Sequence, residues 1–259
     1  MEDYFVKTEQ LSTDLSWNLP ELKQGMINVV GGNAQRFNTE IKISEFILEN
    51  YPIKKVHTIL PDSLKEKLPP LPNLVFLKST DTGSFADTND LADILDSADY
   101  NLLLGDFSKN SITITAVATA ISEASRPLIL TRDTLDLIAD ATPDQILMRD
   151  NVIYLASLPQ LQKLLRSVYY PKMLLLSQPL LQIADVLHKF TLSYPAKIIT
   201  LASDQILLAE NGFVRAIPLA KSGLTPLTFW GGELAAKIAV MNLFSPGHFL
   251  DATITAIFC

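Results

Sequence analysis

Between Tyr100 and Asp136 the chain writes out one complete strand–helix–strand unit, and no other stretch limits its fold so tightly. Tyr100-Asn101-Leu102-Leu103-Leu104 is an apolar strand that runs straight into Gly105-Asp106-Phe107-Ser108-Lys109-Asn110-Ser111. A helix-forming run, Ile112 to Ala124, comes next. Pro127-Leu128-Ile129-Leu130 is a second strand, and it ends in Thr131-Arg132-Asp133. Continuous apolar strands separated by helices specify parallel strands covered on both faces. In such a sheet, ligands bind beyond the carboxyl ends of the strands. The two polar loops therefore lie where an anionic or polar ligand would be held.

The rest of the chain repeats this rhythm. Met26 to Val30 is a buried strand emptying into Gly31-Gly32-Asn33, and the segment around Ile41 to Leu48 has helical spacing. Lys55 to Leu60 is a strand, with Pro61-Asp62-Ser63 starting a helix, and Leu74 to Lys78 is a short strand. Asp81-Thr82-Gly83-Ser84 reads as a plain loop before a helix at Asp90 to Ser97. Further on come a short helix from Pro143, a strand at Asn151 to Leu155, a helix at Leu158 to Val168, a strand at Met173 to Leu176 and a helix at Leu180 to Phe190. Three short strands follow, at Lys197 to Leu201, Gln205 to Ala209 and Phe213 to Pro218. Asn211-Gly212 between the last two is a hairpin turn. Helices at Glu233 to Leu243 and Phe249 to Phe258 finish the pattern. The expected architecture is an α/β fold with a mainly parallel sheet, helices on both faces and a late antiparallel hairpin. Residues 1–24 read as an N-terminal arm and 25–259 as a single domain.

Composition narrows the function. Nearly half of the 259 residues are apolar, enough for a sizeable core, and the net charge is −7. An acidic chain lacks the basic footprint that nucleic-acid binding requires, although a local cationic cluster can still hold a small anion. Cys259 is the single cysteine, so neither an intrachain disulfide nor a thiolate metal cluster can form. His57, His188 and His248 show no metal-ligand spacing, and no metal ligands are expected. The acidic start, Met1-Glu2-Asp3-Tyr4, has no apolar signal core, and no apolar run reaches membrane-span length. The expectation is a cytoplasmic protein with small-molecule ligands and neither nucleic-acid nor membrane partners.

Four loops carry candidate chemistry. Gly31 and Gly32 let backbone approach a ligand closely, and Asn33 both donates and accepts hydrogen bonds; the same residues also suit an ordinary strand-to-helix turn. Gly105, Asp106, Ser108, Lys109 and Asn110 form a second loop. Asn110 or Ser111 can cap the helix that follows, leaving its free N–H groups and Lys109 to meet an anion. Arg132 suits bidentate recognition of a carboxylate or phosphate. Asp133 either orients it, binds a ligand hydroxyl or caps a helix. Trp230, Gly231 and Gly232 precede an Ala-rich helix starting at Glu233, where a flat ring could stack and an anion could sit. Neither the dinucleotide G-x-G-x-x-G nor the Walker spacing is present.

Taken in order, these pieces resemble the ribokinase-like superfamily and, within it, the ADP/ATP-dependent NAD(P)H-hydrate dehydratases. The likeness spans about residues 25 to 258 and is carried by Val29-Val30-Gly31-Gly32-Asn33, by Leu104-Gly105-Asp106 and by Leu130-Thr131-Arg132-Asp133-Thr134-Leu135-Asp136. It implies a three-layer ribokinase-like fold, ADP or ATP with Mg²⁺ at Trp230, Gly231 and Gly232, and a hydrated NAD(P)H substrate at the N-terminal loops. Homo-oligomers are common in that family. The chain departs from the family in its nucleotide half. The family signature Gly-Thr-Gly-Asp, whose Asp is the acid/base, corresponds to Phe229-Trp230-Gly231-Gly232-Glu233. Gly232 stands at the Asp position, with Glu233 next to it. Gln182 takes the place of the Glu in the family's Thr-Pro-His-Pro-Gly-Glu loop, and Ala202-Ser203 replaces its Lys-Gly. A hydrate dehydratase, a relative that binds nucleotide without turnover and a small-molecule kinase are all consistent with this pattern. The kinase needs the same lost base.

Overall fold

The computed structural model describes residues 3–10, 14–141 and 143–259. The chain divides into two compact units, one running from Pro20 through the fourth helix, the other combining the residues up to Leu19 with everything from Pro143 onward. Of the expected N-terminal arm, residues 1, 2 and 11–13 lie outside the described residues. Phe5–Lys7 is the first strand, β1, and belongs to the second unit.

The first unit is wholly parallel. Its strands are β2 (Gln24–Gly31), β3 (Ile53–Pro61), β4 (Leu74–Leu77), β5 (Tyr100–Gly105) and β6 (Leu128–Thr131), in the spatial order β6-β5-β2-β3-β4. The register sets Gly31 opposite Gly105 and Leu103 opposite Leu130, so the tips of β2, β5 and β6 finish side by side. Every residue of β5 and β6 is buried, as expected of strands covered on both faces. Helices α1 (Asn38–Asn50), α2 (Thr88–Asp96) and α3 (Ser111–Glu123) connect them, and α4 (Thr134–Ala139) follows β6. Their starts follow local chemistry. Asp87 accepts from the N–H groups of Asn89 and Asp90 to begin α2, and Asn110 accepts from Thr113 N at 2.8 Å to begin α3. The helix expected after Pro61 is a single 3₁₀ turn, Asp62–Leu64.

In the second unit, α5 (Pro143–Leu147) leads to β7 (Val152–Leu155) and then to α6 (Leu158–Ser167), which opens with a Ser157–Gln160 capping box. Helix α7 (Leu180–Ser193) precedes β8 (Lys197–Ala202), β9 (Gln205–Glu210) and β10 (Phe213–Pro218). Strand β8 runs parallel to β7, β9 and β10 are antiparallel, and β1 adds in parallel on β10 with Phe5 opposite Val214. Both hairpin turns have two residues with positive φ, Ser203 and Asp204 at 49° and 58°, Asn211 and Gly212 at 49° and 80°. This mirror-image geometry matches the twist of the flanking strands. Helices α8 (Leu219–Ser222), α9 (Pro226–Trp230), α10 (Glu233–Phe244) and α11 (Phe249–Phe258) complete the chain.

One expected strand is absent. Met173 to Leu176 is irregular because two side-chain amides take the backbone groups that a ladder would use. Buried Gln162 accepts from Leu174 N, while Gln178 accepts from Leu175 N at 2.9 Å and donates to the Met173 carbonyl at 3.3 Å. Among the described residues, no helix is long and apolar enough to cross a membrane.

Candidate functional site

Three candidate loops of the first unit meet at one residue, Asp106. Gly105 and Asp106 leave β5 with φ of 90° and 57°, a left-handed turn that lets the chain double back over the strand ends. The Asn33 amide donates to the Asp106 carbonyl at 2.6 Å. Arg132 Nη2 reaches the Asp106 carboxylate at 2.9 Å, and the Asp133 carboxylate accepts the Asp106 N–H at 2.6 Å. Asp106 is largely buried, so its pairing with Arg132 answers a real desolvation cost. Arg132 has φ of 55°, unusual for a long side chain, and this sets the guanidinium beside Asp106.

The glycines are there for close approach. A Cβ on Gly105 would stand 1.8 Å from Asp133 Oδ1, and one on Gly31 would stand 2.5 Å from both Glu40 Oε1 and the Gly105 carbonyl oxygen. Gly32 N–H donates to that same carbonyl at 2.8 Å. Asn33 also closes its own loop. Its Oδ1 accepts from Gln35 N at 2.9 Å and Arg36 N at 3.2 Å. Asp133 does not cap α4 with its side chain; its carboxylate is spent on Asp106 instead. Burial is the main force raising the Asp133 carboxyl above its ordinary pKa, with the Asp106 N–H opposing it.

Ser108, Lys109 and Asn110 lie further out. Ser108 N–H donates to Ser84 Oγ at 3.1 Å, and the Asn110 amide donates to Thr82 Oγ1 at 2.8 Å while its oxygen caps α3. The Asp81–Ser84 segment, plain in sequence, is thus stitched to the candidate loop. Gly83 in turn accepts from Ala34 N at 2.8 Å, which ties the Asn33 loop to it. Lys109 is exposed, as is the Arg36 side chain, whose Nη1 is 4.0 Å from Asp106 Oδ1. Two cations therefore flank a rigid, bonded junction.

Glu40 is the residue that sequence reasoning missed. It lies in the first turn of α1, fully buried, and among the described residues no other residue hydrogen-bonds to either carboxyl oxygen. Burial dominates its titration and pushes it up to about 8; Asp106 and Asp133 push the same way, and its own backbone N–H and Arg132 oppose them.

In the second unit, Trp230 ends α9 and packs edge-on against buried Phe229, with ring centroids 4.5 Å apart. Gly231 follows, and Gly232, with φ of 103°, starts α10 without any side-chain cap. The N-cap thus supplies no side-chain acceptor to the first amides of α10. Glu233 is exposed in that first turn. A separate cleft of about 570 Å³ lies along α7, walled by Phe5, Met173 and Leu181 and edged by Lys172, Gln178 and Gln182.

The comparisons with known proteins now bear on this geometry. No family model matches the chain, and no curated protein matches it. Solved structures do. A ribokinase-like superfamily protein from Enterococcus faecalis superimposes with a TM-score of 0.67 at 14% identity, covering 100% of this chain and 86% of that one. The fold is ribokinase-like. The same ribokinase-like fold is seen in the ADP/ATP-dependent NAD(P)H-hydrate dehydratase from Bacillus subtilis, crystallised with ATP and Mg²⁺ and soaked with CoA (TM-score 0.57, 15% identity, 94% and 83% coverage). A pyridoxal kinase from Bacillus subtilis, solved as an ADP complex, also matches (TM-score 0.51, 9% identity, 90% and 89% coverage). The ribokinase-like fold thus spans kinases and a dehydratase, and the chemistry of this chain must be argued from its own residues.

Proposed function

We propose that the chain is a nucleotide-dependent protein of the NAD(P)H-hydrate dehydratase kind. The observation that carries this reading is the junction at Asp106, where Asn33 from the β2 loop and Arg132 from the β6 loop bond to the same residue. It sits at the carboxyl ends of parallel strands in a fold shared with an ATP-bound dehydratase. In this reading ADP or ATP stacks on Trp230 and sets a phosphate at the uncapped start of α10. Within the first unit, Lys109 and Arg36 are exposed cations that suit an anionic group. Phosphoryl transfer to the hydrate's hydroxyl, followed by elimination of phosphate, restores the dinucleotide. Glu233 is the candidate to take the hydroxyl proton, and positioning and charge neutralisation supply most of the rate. Among the described residues no three His, Cys, Asp or Glu side chains group so as to hold a metal ion. The test is recovery of reduced-nicotinamide absorbance from the hydrate on adding ADP or ATP. No turnover at high protein concentration rejects the reading.

One observation favours a second reading, binding without turnover. Gly232, which the sequence resemblance sets at the place of the family's catalytic Asp, is a glycine in a left-handed conformation, and Glu233 next to it is exposed. Losing an acid/base costs on the order of 10²–10⁴-fold in rate. The same loss counts against a small-molecule kinase. Thermal stabilisation by nucleotide or dinucleotide, without hydrate conversion, is the result this second reading requires.

A further inference from the structure

We propose that Glu40 is a positioning residue that works as a neutral carboxylic acid, holding the Gly31–Gly32 turn on the tip of β5, and that removal of its proton loosens the ends of β2, β5 and β6. Glu40 Oε1 and the Gly105 carbonyl oxygen converge on one point, each 2.5 Å from where a Cβ on Gly31 would be. Two acceptors that border one gap repel when both present lone pairs. A proton on Glu40 turns one of them into a donor, and a carbonyl has a second lone pair to receive it. The first lone pair of Gly105 is taken by Gly32 N–H at 2.8 Å. Glu40 is 0% exposed, and among the described residues no other residue hydrogen-bonds to either of its oxygens.

The groups facing Glu40 from the neighbouring strand ends are Asp106 just after β5 and Arg132 and Asp133 after β6. Arg132 is already bonded to Asp106 at 2.9 Å, and Arg36 near Asp106 has a side chain 75% exposed and screened. An ionised Glu40 would make three carboxylates around one guanidinium. That repulsion acts on the two N–H donors that lock the tips, Gly32 to Gly105 and Asp106 to Asp133. Burial places the transition at about 8, within reach of ordinary alkaline conditions. The proposal stands on the strand tips alone and holds whatever ligand binds there.

The experiment uses the full chain without ligand. The Glu40 carboxyl is titrated by ¹³C NMR, and amide exchange at Gly32 and Asp106 is measured below and above the transition and corrected for intrinsic rates. Expected are an alkaline titration and a loss of protection of about tenfold or more above it, with protection in Glu40→Gln high and independent of pH. A carboxyl that titrates in the ordinary range near 4–5 overturns the proposal. So does an equal pH response in wild type and Glu40→Gln. If Glu40→Gln fails to fold, the wild-type titration and exchange decide by themselves.

Discussion

Glu40 Oε1 lies 2.5 Å from the position that a Cβ on Gly31 would occupy, so the buried acid and the glycine define each other's place. Gly31→Ala would also press on the backbone oxygen of Gly105, also 2.5 Å away, which cannot swing aside as a flexible side chain would. Overpacking of this kind costs about 1–3 kcal/mol. Gly223→Ala is the control. It meets no atom within 4 Å and strains only its backbone, at φ of 70°. Urea denaturation should show the Gly31→Ala loss to be the greater of the two.

Stability should fall as pH rises from mildly acidic to alkaline. The folded Glu40 carboxyl holds its proton up to about 8, whereas its ordinary value is 4.5. Between those values the folded chain binds a proton that the unfolded chain has released. This contribution is therefore complete below the lower value, declines through the interval and is gone above about 8. Glu40→Gln, which cannot ionise, should flatten that part of the profile. The difference should be on the order of a few kcal/mol at alkaline pH and small near the lower limit. Urea midpoints of both proteins across the interval check this, and parallel profiles would refute it.

Asp133→Ala should leave the Asp106 N–H without its acceptor, since Asp133 Oδ1 holds it at 2.6 Å in a part-buried setting. An unpaired buried donor costs about 1–3 kcal/mol. Asp133→Asn keeps an oxygen in reach and should lose distinctly less. If the two substitutions cost the same in chemical denaturation, the hydrogen bond is not what Asp133 contributes.

What could be read from the sequence was local or periodic. Uninterrupted apolar runs at Leu102–Leu104 and Leu128–Leu130 announced buried parallel strands, and Asn211-Gly212 announced a mirror-image turn, because each depends on residues within a few positions. Asn110 was legible as a cap for the same reason. Glu40 was not. A glutamate in the first turn of a helix looks like a favourable partner for the helix dipole, and only packing of α1 over Gly31 turns it into a buried acid. Met173 to Leu176 misled in the opposite direction. Its apolar run reads as a strand, but Gln162 and Gln178, outside the run, take its backbone groups. Thr82 and Ser84 likewise acquire their roles only when the loop meets Ser108 and Asn110 in space.

The proposed chemistry makes its sharpest demand on Glu233. The side chain is exposed in the first turn of α10, whose N-terminal amides lack a side-chain cap. As a helix-dipole partner at the surface it contributes only about 0.3–1 kcal/mol, so Glu233→Gln should fold normally. Nucleotide-induced thermal stabilisation should persist, because the amides and Trp230 are unchanged. Conversion of the hydrate should drop by on the order of 10²–10⁴-fold, the usual consequence of removing an acid/base. Retained conversion in Glu233→Gln would remove Glu233 from the mechanism. Equal loss of nucleotide stabilisation and of conversion would instead make it a binding contact, because an acid/base acts in the transition state more than in the ground state.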